Sequence, residues 1–309
     1  MYAAGDPRAS LPTAAARPAV ASFKGAEYAR FYASEPQETD GASRTWYARG
    51  QNLVVAYTDG KAGLELGRTG QPDEYMILIP ARETRLSVTA GGETTIAEGN
   101  SVIVVPSGDS SVRLETEGVI VRLLTTRSND LAVRCANAGS YEQPDPNVAP
   151  FEPWPAARNG EKIRVYSLEV PDEPGRFGRI FRCSTIMVNW IKPSPPRDAT
   201  KMSPHHHDDF EQYSLCLDGA YTHYLRWPWL TDMTLWRADE AEFCAAPSVA
   251  VIPPPVIHTS QSMEAAGNVL VDIFCPPRAD FSAKPGWVLN AADYPAPGEQ
   301  PNHQVKRQV

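Results

Sequence analysis

The stretch Ser203-Pro-His-His-His-Asp-Asp-Phe-Glu-Gln-Tyr-Ser-Leu-Cys-Leu-Asp-Gly219 carries three of the chain's six histidines. A fourth, His258, follows in Ile252-Pro-Pro-Pro-Val-Ile-His258. Imidazole is the commonest protein metal ligand, and strand geometry can aim several imidazoles at one point. Successive side chains of an extended chain alternate faces, so His205 and His207 point one way and His206 the other. Gln212 or Glu211 can add an oxygen ligand. His258 joins them only if the sheet curls back on itself, so this stretch predicts a closed β structure.

The rest of the chain reads the same way. Helical periodicity is nearly absent; short β-branched or aromatic runs recur between Gly, Pro, Asn and Asp. Asn52-Leu-Val-Val-Ala-Tyr57, Tyr75-Met-Ile-Leu-Ile79, Ser101-Val-Ile-Val-Val105 and Gly118-Val-Ile-Val-Arg-Leu-Leu124 form a first series. After the Pro-rich Gln143–Pro155 the pattern resumes, with Ile163–Val170, Arg182–Trp190, Tyr213–Leu217, Ser248–Ile252 and Asn268–Phe274. Gly99-Asn-Ser-Val-Ile-Val-Val-Pro-Ser107 holds the slot in the first series that Ala246-Pro-Ser-Val-Ala-Val-Ile-Pro-Pro254 holds in the second. Each is followed by a Gly-led strand, at Gly118 and Gly267. An all-β chain made by duplication of one domain is the simplest account. Residues 1–204 contain no histidine, which excludes a His-based metal site from the first half.

Composition sets bounds on function. The 309 residues carry a net charge of −8 and no Lys/Arg-rich run, which speaks against nucleic acid or an anionic membrane as partner. No apolar stretch reaches the length of a membrane span. Five scattered cysteines, odd in number and without CxxC spacing, disfavour a disulfide framework and suit a reducing cytoplasm. Residues 1–26 lack a compact apolar segment and read as a flexible arm. His303 lies in a polar tail, where it is expected to be solvated.

These motifs resemble those of the cupin superfamily, whose fold is a jelly-roll β-barrel. Its first motif runs His-x-His, three or four residues, an acidic or amide ligand, six residues and Gly. His205-x-His207, Gln212 and Gly219 match with the four-residue spacer; Glu211 is the alternative ligand, with Gly219 then one residue late. Gln at this ligand position departs from the Glu of most metal-binding cupins. The second motif appears as Pro247-x5-Pro253-x-Pro255-x2-His258-x3-Ser262, where Pro replaces both Gly positions and Ser the final Asn. The resemblance implies two tandem cupin barrels: a ligand-free, degenerate barrel over 27–140, a linker over 141–162, a metal-binding barrel over 163–292 and a tail over 293–309.

It further implies one divalent metal ion held by His205, His207, His258 and Gln212. Iron is favoured; zinc, nickel, manganese and copper also suit such ligands. Because the ligands are neutral the ion keeps its full charge, which favours a small anionic substrate. The leading expectation is an Fe(II) dioxygenase of a small oxygenated or aromatic acid. The rivals are a sugar-acid isomerase or lyase using the ion as a Lewis acid, and a non-catalytic ligand-binding bicupin. Residues 220–246 carry Trp227, Trp229, Trp236, Arg226 and Arg237, a pattern that reads either as a lid or as a hairpin packed on a second subunit. In the lid reading Arg226 binds a carboxylate, while His223 lines the pocket or packs. Asp272 and Arg182 are candidates to face the same cavity. A homodimer is expected.

Overall fold

The computed structural model describes residues 22–230 and 232–298. Residues 1–21 of the arm expected over 1–26, and the end of the tail with His303, lie outside the described residues. The first half contains β1 (Glu27–Arg30), β2 (Glu38–Asp40), β3 (Ser43–Arg49), β4 (Leu53–Gly60), β5 (Glu65–Gln71) and β6 (Tyr75–Ile79). It continues with β7 (Arg85–Ala90), β8 (Glu93–Glu98), β9 (Ser101–Val105), β10 (Gly108–Leu114), β11 (Gly118–Thr125) and the short helix α1 (Asn129–Ala132). The second half has β12 (Arg164–Ser167), β13 (Arg179–Arg182), β14 (Met187–Trp190), β15 (Gln212–Asp218) and β16 (Ala220–Arg226). It closes with β17 (Glu240–Ala245), β18 (Ser248–Ile252), β19 (Ile257–Ser262), β20 (Val269–Phe274) and helix α2 (Ala279–Ser282).

Each half is two facing sheets. In the first, β12-β9-β6-β11-β4-β3-β2 covers β5-β10-β7-β8; in the second, β1-β18-β15-β20-β14-β13 covers β17-β16-β19. The two halves follow one pairing scheme: β11 lies between β4 and β6 as β20 lies between β14 and β15, and β6 pairs β9 as β15 pairs β18. The fold is all-β, two tandem jelly-roll barrels.

The strand boundaries cross between halves. β1, expected in the first barrel, pairs with β18 of the second, and β12, expected in the second, pairs with β9 of the first. A four-residue edge strand carries too little periodicity to show which sheet it joins. The Pro-rich segment is packed rather than free, with Asp145, Val148 and Ala157 buried, and so is Tyr294 in the expected tail.

The larger sheets pack back to back, so their central strands are buried on both faces and read as continuous apolar runs. In β4, Leu53, Val55 and Tyr57 join the core between barrels, whereas Val54 and Ala56 fill the first barrel. β15 divides differently. Tyr213 and Leu215 join the same inter-barrel core, and Gln212 and Ser214 turn inward. The first barrel is therefore filled mainly by apolar side chains, and the second keeps polar groups inside.

Two buried carboxylates tie the halves together reciprocally. Glu211 accepts from the Gln51 amide (2.7 Å) and from the hydroxyls of Tyr141 (3.1 Å) and Tyr213 (2.8 Å). Glu74 accepts from the hydroxyls of Ser184 (2.7 Å) and Tyr294 (3.0 Å). Burial raises both carboxyls above their ordinary value, against the lowering effect of these donors. A Cβ on Gly50 would sit 2.0 Å from the Tyr213 hydroxyl and 2.5 Å from Glu211 Oε2, so only glycine permits the first clasp.

Candidate metal centre

His205 lies in a short extended segment that pairs with His258 by two backbone hydrogen bonds, His205 N to His258 O (3.0 Å) and His258 N to His205 O (2.7 Å). The motif histidines thus meet through their own backbones, and the sheet does curl back as their chemistry requires. Side-chain alternation then brings His207 in beside His205. The ring centroids of His205 lie 5.1 Å from His207 and 4.4 Å from His258. One ring nitrogen from each of the three lies within 4.8 Å of the others, and all three residues are buried. Among the described residues this is the one group of His, Cys, Asp or Glu side chains so arranged. His206 points outward and approaches Asp208 (3.3 Å).

Backbone carbonyls orient two of the rings. His205 Nδ1 lies 2.9 Å from Ser203 O and His258 Nδ1 lies 3.0 Å from Val256 O, which leaves Nε2 as the ligand atom of each. His207 stacks on Phe210, with centroids 4.7 Å apart. Its pKa falls well below the ordinary histidine value, chiefly through burial and then through the nearby Arg278 charge. Neutral imidazole is the ligating form, so the site is ready for a metal at neutral pH.

Gln212 and Glu211 point opposite ways. Gln212 Oε1 lies 2.8 Å from His207 Nε2. Two adjacent ligands at about 2.1 Å from one ion and at right angles stand about 3 Å apart, so this spacing suits a shared ion. Glu211 is turned into the inter-barrel clasp and does not face the histidines. The alternative that placed it among the ligands is corrected: successive residues of β15 face opposite sides, and the lumen takes Gln212. Three imidazoles and an amide fit a divalent transition ion at this position.

Behind the histidines runs a polar strip. Gln212 Nε2 donates to Ser214 Oγ (2.9 Å) and Asp272 Oδ1 (3.1 Å), and Ser214 Oγ donates to Asp272 Oδ1 (3.0 Å). Asn189 is Asp272's neighbour across β14 and β20; both of its amide atoms are buried without a partner among the described residues. His223 is fully buried, with Nδ1 2.8 Å from Ser260 Oγ and no partner at Nε2 among the described residues. Burial and then His258 push its pKa down to about 3. Buried polar groups of this kind are ordinarily satisfied by a polar ligand or water.

Other expected residues are elsewhere. Arg226 alternates with the inward Leu225, faces solvent and pairs with the exposed Asp239. The carboxylate contact expected of it is not formed by this geometry. Arg182 donates to Tyr294 O and lies over Trp154 (5.2 Å). Within the insert Trp227 is buried beneath Arg237 (4.9 Å), and Trp229 stacks on Trp236 at the surface (4.6 Å). Asn189, Ser214 and Arg278 escaped the reading of the sequence. Ser214 leaves a trace, since Gln212 and Ser214 alternate with the apolar Tyr213 and Leu215 along β15.

Tandem jelly-roll barrels, the second closing a His-x-His segment onto a third histidine, make up a bicupin fold. No family model matches the chain, and no curated protein matches it in sequence. Among solved structures it is similar to the Lactobacillus farciminis oxalate decarboxylase in its formate complex: TM-score 0.53, 14% identity, covering 81% of this chain and 86% of that one. It is also similar to AerE from Microcystis aeruginosa, with TM-score 0.51 and 8% identity over 79% of this chain and 97% of that one. A variant of the Bacillus subtilis oxalate decarboxylase gives TM-score 0.50 and 13% identity over 82% of this chain and 78% of that one. At these identities the likeness is one of fold.

Proposed function

We propose that this chain is a metal-dependent bicupin enzyme, an Fe(II) dioxygenase acting on a small oxygenated or aromatic acid, with one divalent ion at His205, His207, His258 and Gln212. The single observation that supports it is the buried His triad, its ring nitrogens gathered around one point beside buried polar groups that have no partner among the described residues. When bound, iron(II) supplies a Lewis acid and the electrons for dioxygen chemistry. The protein residues then have separate tasks. Ser203 and Val256 carbonyls fix the imidazole tautomers; Asp272 and Ser214 hold Gln212 by its amide nitrogen, leaving Oε1 as donor. Phe210 and Phe274 shield His207 from water. His223, neutral at pH 7, offers Nε2 as a proton acceptor for the substrate.

The Lewis-acid isomerase or lyase is the second reading, supported by His223 and Asp272, two groups in the second barrel able to move protons. The similarity to oxalate decarboxylases supports a small carboxylate as substrate in either case. Five free, buried thiols fit the proposed cytoplasmic location. Elemental analysis of the purified protein, with oxygen uptake measured across a panel of small hydroxy and aromatic acids, tests the proposal. The expected result is iron-dependent uptake, with metal lost in His205→Ala and His258→Ala. Turnover with zinc in the absence of oxygen would overturn the dioxygenase, and full metal content in both variants would overturn the site.

A further inference from the structure

The register that aligns the two barrels puts a buried cation inside the one that has no histidine. Ser214 pairs with Asp272, which pairs with Asn189; in the first barrel Ile77 pairs with Arg122, which pairs with Ala56. Arg122 therefore occupies the inward position of Asp272. Its row runs Tyr47, Ala56, Arg122, Ile77, Ile103, and the other four belong to the core that fills the first barrel.

Arg122 is 3% exposed, and a guanidinium keeps its charge at any ordinary pH. Among the described residues its enclosed Nε has no acceptor and no carboxylate pairs with it. Each of the other deeply buried guanidiniums has an acceptor: Arg164 donates to the carbonyls of Arg158 and Gly160, Arg182 donates to Tyr294 O, and Arg278 is held by Asp280. A buried charge left without a counter-charge is strongly destabilising. The Tyr75 hydroxyl, electrostatically coupled to Arg122, shares one hydrogen bond with Ser110 Oγ (3.0 Å). That bond uses one of the pair's two protons and leaves the other available to an incoming acceptor.

We propose that the first barrel holds a second ligand site, separate from the histidine centre, in which Arg122 binds a small monocarboxylate of formate or acetate size. One guanidinium balances one negative charge, its fork matches the two carboxylate oxygens, and the Ile77 and Ile103 walls suit a short apolar tail. The site is thus an anion site with no metal, opposite in sign to the Asp272 position of the other barrel.

Thermal unfolding of the full-length protein in acetate, formate or chloride at constant ionic strength tests this, with Arg122→Met and Arg122→Lys alongside. The wild type is expected to gain several degrees with acetate, rising with the logarithm of its concentration. Arg122→Met is expected to be insensitive to acetate, no less stable than wild type without it, and unchanged in metal content. Arg122→Lys, which loses the fork, is expected to bind about tenfold or more weakly. Parallel responses of wild type and Arg122→Met, or no response in either, would overturn the site; an equal response to chloride would overturn its carboxylate assignment. Should Arg122→Met fail to fold, calorimetric titration of wild type and Arg122→Lys with acetate decides the matter, and absence of heat in the wild type refutes it.

Discussion

Glu211 and Gln212 are chemically similar neighbours whose roles separate by one step of the strand. Gln212→Ala removes the oxygen 2.8 Å from His207 Nε2, and metal affinity is expected to fall about tenfold or more. Glu211→Gln is expected to leave metal content intact while costing about 1–3 kcal/mol, because an amide has one acceptor oxygen for the clasp's three donors. Metal analysis and urea unfolding of both variants check this; metal loss in Glu211→Gln would reverse the assignment. His223 gives a pH signature. Its folded pKa of about 3 lies below the ordinary 6.5, so it contributes stability above pH 6.5 that is lost as pH falls toward 3. His223→Gln is expected to flatten this acid limb in the metal-free protein, read from unfolding midpoints across that range. The motif spacing favoured Gln212 without showing which way either residue faces, and the partners of Glu211 left no trace, because Gln51 and Tyr141 lie far away in sequence.

The strand β1 is the element whose placement carries most consequence. It covers the edge of β18, with Arg30 paired to Glu242 and the Tyr28 hydroxyl donating to Glu240 (2.7 Å). Removal of residues 1–30 uncovers that edge, and unpaired edges invite aggregation. The shortened chain is expected to scatter light on warming and to exchange its β18 amides faster; unchanged protection would show that β1 is dispensable. Glu27-Tyr-Ala-Arg30 shows no pattern that could reveal this, since pairing across more than two hundred positions leaves no local trace. The longer strands β4, β6, β9 and β11 were legible, because burial on both faces writes an uninterrupted apolar run.

The molecule as a whole exposes several large apolar side chains from one stretch of the second half. Tyr224, Trp229, Met233, Trp236, Phe243 and Met263 are exposed within a short span of sequence, on and beside the β17-β16-β19 sheet. Apolar clustering of this kind marks an interaction surface, and a symmetric pair of copies is the simplest occupant. The wild type is expected to sediment as a dimer, and a Trp229→Ser, Phe243→Ser chain as a monomer with unchanged metal content. A monomeric wild type at micromolar concentration would overturn this. By itself the sequence determined the all-β class, the duplicated rhythm and the histidines of the metal centre, because strand alternation and motif spacing are local. Only the tertiary structure decided that Gln212 and not Glu211 faces the histidines, that Arg226 looks outward, and that Asp272 and Arg122 occupy matching places in two lumens. Those facts depend on which sheets face each other, and that is fixed by pairing between residues distant in the chain.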